Sequence, residues 1–154
     1  GWTLTPALRK YIVMDIRPHS PQLAVSPQIS VEDVPAIAAA GYTTIICNRP
    51  DMEVPPSAQA ATIKAAAEAA GLAFVEHPVT HQGLNMEMIA AQKADMIAAD
   101  GPVLAYCASG TRSSIVWSFS QAGEIPTEEI IAATTAAGYD LGGMGPQLDA
   151  IANR

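Results

Sequence analysis

Cys107 and Arg112 are the two residues whose chemical types and spacing best suit a reaction. The cysteine follows a short apolar run over 103–106, and the arginine stands five positions later, before a helix-like run over 114–119. Backbone N–H groups at the start of a helix have no partner within it, so they can converge on an anion. The same groups and the helix dipole favour a negatively charged sulfur. The spacing therefore predicts a cysteine nucleophile that receives an anionic group.

Four residues between this cysteine and arginine form the predicted anion-binding loop, together with the arginine itself. They are Ala108, Ser109, Gly110 and Thr111. Gly110 can adopt positive φ and keeps a Cβ out of the loop, and the planar guanidinium of Arg112 can hold two oxygens of an oxyanion. Ser113 is a candidate hydrogen-bond donor to the thiolate. The alternative is a buried structural cysteine beside a solvated arginine, which the order strand, loop, helix argues against.

The length of this loop bears on the chemistry. Cysteine phosphatases place five residues between the cysteine and the arginine, which makes a ring of N–H groups wide enough for three phosphoryl oxygens. The four-residue loop here resembles that of the rhodaneses, in which the cysteine carries one extra sulfur as a persulfide. The main hypothesis is a sulfurtransferase that passes sulfane sulfur through Cys107, from a small anionic donor (thiosulfate or a persulfide) to a thiol acceptor.

Two other functions stay open at this stage. The first is a phosphatase that hydrolyses a phosphorylated substrate with Cys107 as the nucleophile. The second is a non-catalytic module that binds an anion or a partner protein through the loop. Anion binding without turnover would favour the module over both enzymes.

Composition narrows the class of protein. The chain has 154 residues, of which 49% are apolar, so it is long enough for one well-packed domain. We expect that domain over 15–154, with 1–14 as an N-terminal extension of uncertain role. The net charge of −7 comes without a basic stripe, which argues against nucleic acid and anionic membranes as partners. Two cysteines without a disulfide framework suggest a cytoplasmic protein, and the oligomeric state stays open.

No apolar run approaches the ~18 residues that a membrane-spanning helix needs. His77 and His81 flank Pro78 in an extended segment, so they do not form a helical pair of metal ligands. The glycines at 142, 143 and 145 do not follow a strand as a dinucleotide-binding motif requires. The sequence thus predicts neither a metal nor a cofactor.

Strand-like and helix-like segments alternate along the chain. Predicted strands lie in 15–26, 43–47, 72–77 and 102–106, and predicted helices lie at 30–40, 57–70, 85–99, 114–119, 127–138 and from 146 onward. This alternation predicts an α/β fold with a mostly parallel central sheet flanked by helices. Since ligands bind beyond the carboxyl ends of parallel strands, we expect the loops at 47–51, 80–83 and 107–112 to share one edge.

Several segments, in this order, resemble the phosphatase-like domain of bacterial beta-lactamase-hydrolase-like proteins. They are Ser26–Ile29, Asn48–Asp51, His77–Thr80, Cys107–Ser113 and Gly138–Leu141. The resemblance extends from about Asp15 to Ile151. It implies a fold like that of the dual-specificity cysteine phosphatases, and an activity described either as phosphatase-like or as sulfur transfer.

This resemblance also suggests how a leaving group is protonated. The segment 80–83 stands where related phosphatases carry a mobile aspartate that acts as the general acid, and no aspartate is present there. His81 is a candidate substitute because an imidazole can serve as a general acid near neutral pH, and Asp51 is a second candidate acid. Because sulfite leaves from thiosulfate as a stable anion, the missing aspartate favours sulfur chemistry.

Two further residues belong to the predicted site. Arg49 is either a second cation at the mouth of the loop or a structural partner of Asp51. Cys47 ends a strand that such phosphatases place beside the nucleophile, where some lipid phosphatases carry a cysteine that protects the catalytic one. The hypothesis is a Cys47–Cys107 disulfide formed on oxidation, and the alternative is an inert buried thiol.

Overall fold

The computed structural model describes residues 15–154, so the N-terminal extension predicted over 1–14 lies outside the described part. Five strands of four residues each form one sheet: β1 (Arg17–Ser20), β2 (Leu23–Ser26), β3 (Thr44–Cys47), β4 (Ala73–Glu76) and β5 (Val103–Tyr106). Their spatial order is β1-β2-β5-β3-β4. The pairs among β2, β5, β3 and β4 are parallel, and β1 is an antiparallel edge strand. The predicted α/β fold with a mostly parallel sheet is confirmed.

Six α-helices surround this sheet in the described residues: α1 (Val34–Ala39), α2 (Ala60–Ala69), α3 (Met86–Ala98), α4 (Thr111–Gln121), α5 (Thr127–Ala136) and α6 (Gly145–Ala152). None of them is long and apolar enough to cross a membrane. The predicted helix start at Ser57 is wrong. A 3-10 turn over Pro56–Ala58 precedes α2, and the carboxylate of Asp51 accepts the N–H of Ala60 at 2.8 Å. A side chain nine residues upstream thus supplies the cap.

Both faces of the sheet are buried, which is why the central strands are apolar throughout. Successive side chains of a strand point to opposite faces. One core cluster lies between the sheet and helices α1 and α2, and includes Ile37, Ile45, Ile63, Leu104 and Tyr106. The other lies between the sheet and helices α4, α5 and α6, and includes Val25, Ala105, Trp117, Ile130 and Leu148. Because β5 contributes to both clusters, the loop that follows it starts from a rigid position.

The sheet register brings the candidate site together. Cys47 of β3 lies opposite Tyr106 of β5 and opposite Glu76 of β4. The segments that follow these three strands therefore leave the sheet at one edge. This is the arrangement that the sequence predicted for 47–51, 80–83 and 107–112.

Candidate active site

Cys107 lies at the base of the loop that joins β5 to α4. Its side chain is fully buried, and the backbone N–H of Gly110 donates to its Sγ at 3.1 Å. Helix α4 begins at Thr111, directly after Gly110. The sulfur thus contacts a backbone donor at a helix N-terminus, where a negative charge is favoured.

Gly110 is required for two separate reasons. Its φ is +97°, a conformation that residues with a side chain rarely adopt. A Cβ at this position would also overlap the hydroxyl of Tyr139, which donates to the carbonyl oxygen of Ser109 at 3.0 Å. Tyr139 therefore holds the loop from outside. Sequence reasoning named it only within a resembling segment and gave it no role.

Ser109 makes further contacts inside the loop. Its hydroxyl donates to Oγ1 of Thr111 at 3.0 Å and accepts the backbone N–H of Thr111 at 3.3 Å. These side chains are on the solvent side, in contrast to the buried Cys107. The Thr111 N–H can exchange this weak internal acceptor for an incoming anion.

Arg112 forms a two-pronged ion pair with a carboxylate that sequence analysis missed. Its Nη1 and Nη2 lie 2.8 and 2.7 Å from the two carboxylate oxygens of Glu53. Nη1 also donates to the carbonyl oxygen of Val79 at 2.8 Å. These contacts fix the guanidinium at the junction of the three loops. The only sequence signal for Glu53 was its position four residues after Arg49 in the segment that follows β3.

The hydrogen bond from Arg112 lowers the pKa of the Glu53 carboxyl from its ordinary value, with a smaller contribution from Arg49. Glu53 is therefore ionised at neutral pH and is not a proton donor. Its negative charge instead competes with an anionic substrate for the guanidinium.

Arg49 and Asp51 do not pair with each other. Nε of Arg49 lies 3.3 Å from a Glu53 carboxylate oxygen, and its Nη1 donates to the side-chain oxygen of Gln28 at 3.2 Å. Arg49 is thus a second cation beside Arg112, linked to it through Glu53. The alternative in which Arg49 pairs with Asp51 is wrong, because the Asp51 carboxylate instead caps α2.

The two candidate acids are each close in sequence to a residue that contacts Arg112. Asp51 precedes Glu53 by two residues, and His81 follows Val79 by two, so each is close in sequence to a partner of the arginine. His81 is exposed and has no hydrogen bond to any residue in the described part of the chain. Asp51 is exposed as well, although its Oδ1 is engaged by Ala60.

Ser113 belongs to a buried polar network. Its hydroxyl donates to Oδ1 of Asn48 at 2.8 Å, and Nδ2 of Asn48 donates to the side-chain oxygen of Gln92 and to the carbonyl oxygen of His77, at 2.7 and 2.8 Å. The hydroxyl proton of Ser113 thus points to Asn48, and the predicted bond to the thiolate is absent from this arrangement. The network ties the first turn of α4 to the ends of β3 and β4. Sequence analysis named Asn48 only within a resembling segment and gave it no role, and it did not name Gln92.

Cys47 is a buried thiol in register with Tyr106, the residue before Cys107. Burial raises the pKa of Cys47, so the thiol form dominates at neutral pH, and it contacts the carbonyl oxygen of Arg49 at 3.3 Å. The buried hydroxyl of Tyr106 forms no hydrogen bond of ordinary geometry with the described residues. Both cysteines are free thiols here, and the Cys47–Cys107 disulfide stays a prediction for oxidising conditions.

The cavity that the structure contains at the other end of the sheet does not include Cys107. This cavity of about 770 Å³ opens at the opposite edge of the sheet, where Gln22, Gly101 and Pro102 precede β2 and β5. We place the candidate site at Cys107 because its thiol, the N-terminus of α4 and the Arg112 guanidinium lie on the same loop. Within residues 15–154, no cluster of three or more His, Cys, Asp or Glu side chains could hold a metal ion.

The sheet topology and the cysteine loop define an α/β protein of the cysteine-phosphatase type. A candidate phosphatase from Neisseria meningitidis shares this fold with a TM-score of 0.77 and 39% identity, over 90% of this chain and 99% of that one. TpbA from P. aeruginosa, solved in complex with pTyr, has a TM-score of 0.61 and 14% identity, over 99% of this chain and 95% of that one. At 14% identity the second likeness shows the fold alone.

The chain belongs to the family described as "Beta-lactamase hydrolase-like protein, phosphatase-like domain", which it matches over residues 15–124. A beta-lactamase hydrolase-like protein from Xylella fastidiosa is 34% identical over 123 residues, which is 79% of this chain. The chain spans only 28% of that relative's length. The family resemblance found in the sequence is thus confirmed. These comparisons support a phosphatase-like class, and they leave sulfur transfer unconfirmed.

Proposed function

We propose that this chain is a cysteine-dependent phosphatase domain. The observation that carries the proposal is the contact between the Cys107 sulfur and the Gly110 N–H, at the N-terminus of α4. The cation of Arg112 lies on the same loop, at the junction with the two neighbouring ones. The phosphatase-like class of its relatives supports phosphoryl transfer over the other chemistries.

The reaction proceeds in two steps on this geometry. The Cys107 thiolate attacks phosphorus, the bond to the leaving oxygen breaks, and that oxygen keeps the electron pair and takes up a proton. Water then attacks the phosphocysteine, which releases inorganic phosphate and regenerates the thiolate. Backbone N–H groups of 108–112 and the Arg112 fork stabilise the charge on the non-bridging oxygens. Asp51 and His81 are the candidate donors of the leaving-group proton.

Sulfur transfer is the second candidate, favoured by the four-residue spacing between Cys107 and Arg112. The thiolate would attack the outer sulfur of thiosulfate, and sulfite would leave with the electron pair of the broken S–S bond. A thiolate acceptor would then take that sulfur from the persulfide and regenerate Cys107. This route needs no general acid, which suits a site where both candidate acids are exposed.

One pair of measurements separates the candidates. Reduced protein is incubated with thiosulfate and its intact mass is measured, and in parallel its hydrolysis of p-nitrophenyl phosphate is followed. A phosphatase gives hydrolysis that vanishes in Cys107→Ser and is inhibited by vanadate. One added sulfur on the wild type, absent from Cys107→Ser, would instead establish the sulfurtransferase. Sulfate binding with neither activity would indicate the non-catalytic module.

The substrate class follows from the charges at the mouth. Arg49 and Arg112 flank a single carboxylate, so the site favours a compact dianion such as a phosphomonoester over an extended polyanion. With a net charge of −7, the protein repels nucleic acid. The two free thiols are consistent with a cytoplasmic location.

A further inference from the structure

His19 of β1 connects the edge of the sheet to the anion-binding loop. Its imidazole is buried, with 8% of the residue exposed. Nε2 lies 2.8 Å from the hydroxyl oxygen of Ser114, and that hydroxyl lies 2.8 Å from the carbonyl oxygen of Gly110. Nδ1 lies 3.1 Å from the carbonyl oxygen of Arg17. A chain of hydrogen bonds thus extends from the ring to the loop that holds the nucleophile.

If Nδ1 donates to the carbonyl oxygen of Arg17, counting hydrogens leaves two states for this chain. A carbonyl oxygen only accepts, so Nδ1 carries a proton toward Arg17. Ser114 has one hydroxyl proton. If that proton goes to Gly110, the remaining contact requires a second proton on Nε2, and the ring is then a cation. If the ring is neutral, the hydroxyl of Ser114 turns to Nε2 and leaves the Gly110 carbonyl.

The consequence for the loop follows from peptide geometry. The Gly110 carbonyl shares a peptide unit with the Thr111 N–H. A hydrogen bond accepted by the carbonyl polarises that unit and strengthens the N–H as a donor.

The backbone N–H of Ser114 also donates to the carbonyl oxygen of Gly110 at 2.9 Å, so the carbonyl keeps one partner in either state. The hydroxyl bond is therefore free to switch without leaving a buried group unpaired.

We propose that His19 is a positioning residue for the anion site: its ring takes up and keeps a proton at Nε2 when a dianion binds, and the hydrogen bonds through Ser114 then polarise the loop. Binding of the anion thereby strengthens the Thr111 N–H as a hydrogen-bond donor to that anion. This proposal rests on the proposed function only in requiring that the loop bind an anion.

Burial lowers the pKa of His19, so the free protein keeps the ring neutral near pH 7. A dianion at the loop raises that pKa, because it stabilises the cation through Ser114. By reciprocity, the anion binds more tightly to the protonated protein. The gain is about tenfold for each pKa unit by which the anion raises His19.

Other charged and titratable groups surround the ring. On its own strand Arg17 lies over the ring of Tyr139, 5.1 Å from the centroid, and pairs with Asp15. The Tyr139 ring lies 5.7 Å from His19. His19 also lines the cavity of about 770 Å³, and the charged residues that line the same cavity are Lys93, Asp100, Glu124 and Glu129. Because each of these charged groups contributes to the electrostatic potential at His19, the experiment measures the pKa of the His19 imidazole itself.

The experiment is an NMR titration of the His19 imidazole between pH 4.5 and 8, without and with saturating sulfate. Sulfate is a tetrahedral dianion throughout this range. We expect sulfate to raise the His19 pKa, and the sulfate affinity to increase as pH falls through the same interval. Ser114→Ala removes the hydroxyl and should abolish most of both effects. His19→Gln, which cannot titrate, should abolish the pH-dependent increase in affinity.

Ser118→Ala is the matched control. Ser118 is also buried on α4, but its hydroxyl donates to the carbonyl oxygen of Ser114 one turn away, so this variant should behave as the wild type. If sulfate binds and the His19 pKa stays unchanged, the proposal is overturned while the proposed phosphatase stands. If sulfate does not shift the amide signals of the loop at all, both are overturned. If Ser114→Ala fails to fold, the His19→Gln affinity profile decides between these outcomes.

Discussion

Arg112 and Glu53 face each other across the mouth of the site, with both guanidinium nitrogens within 2.8 Å of the carboxylate oxygens. The two residues are 59 positions apart in the chain. The carboxylate occupies the fork that an oxyanion would use, so it both orients the arginine and opposes anion entry. The sulfate affinity of a Glu53 variant shows which of these two effects is larger.

Glu53→Gln should increase the affinity for sulfate. The substitution removes a negative charge beside Arg112 but keeps a side-chain oxygen to orient it. Since the side chains are partly exposed, at 25% and 32%, we expect a modest gain of up to about fivefold, or about 1 kcal/mol. Calorimetric titration with sulfate at pH 7 measures it, and Glu124→Gln, whose carboxylate pairs with Lys93, is the control. Weaker binding in Glu53→Gln would mean that orientation outweighs repulsion.

Arg112→Lys should lower turnover of p-nitrophenyl phosphate by roughly 100-fold, the size of effect seen when one stabilising donor is lost. Lysine keeps the charge but cannot hold two oxygens at once. Arg49→Lys is the comparison, since Arg49 contacts the Glu53 carboxylate with one nitrogen only, and this variant should lose much less. Equal losses in the two variants would contradict a specific role for the Arg112 fork.

Tyr139→Phe should loosen the loop without unfolding the protein. The change removes the hydrogen bond to the Ser109 carbonyl, which we expect to lower the free energy of unfolding by about 1 kcal/mol and to reduce anion affinity. Urea unfolding and sulfate titration measure the two effects. Tyr42→Phe serves as the control because Tyr42 packs at the edge of the core on the far side of the sheet from the loop helix. An unchanged affinity would show that the loop holds its shape without Tyr139.

Asn48→Ala should be the most destabilising of these substitutions. It leaves the Ser113 hydroxyl and the Gln92 side chain without their buried partner, at a cost of about 3 kcal/mol. Asn85→Ala provides a matched control, since Asn85 caps the exposed start of α3 and such caps are worth about 1 kcal/mol. Chemical denaturation compares the two. A smaller effect at Asn48 than at Asn85 would mean that the network contributes little to stability.

His19→Gln should remove part of the loss of stability in acid. Burial lowers the His19 pKa from 6.5, so the unfolded chain binds this proton at a higher pH than the folded chain. Between 6.5 and the lower folded value, stability falls as pH falls, and this slope disappears in the variant. Urea unfolding in anion-poor buffer at several pH values measures the slope. His81→Gln, at an exposed position, should keep it, and an identical slope in His19→Gln would contradict the burial effect.

Much of the fold could be predicted from local pattern. A short β-branched run at 43–47 and a short apolar run at 103–106 indicated buried parallel strands, and the rule for ligand sites in parallel sheets placed three loops at one edge. The antiparallel strand β1 was only part of a β-rich entry over 15–26. Its existence depends on pairing with β2, which four residues with little apolar character do not signal.

The sequence was enough to predict a cysteine nucleophile, its arginine and the glycine between them, because a strand, a loop and a helix N-terminus impose local requirements on residue type. Their contacts with distant residues came only from the folded chain. Glu53, Tyr139 and His19 reach the loop from 59, 30 and 95 positions away in their contacts with Arg112, Ser109 and Ser114. Such contacts depend on how helices and strands pack, and a single sequence carries no local record of that packing.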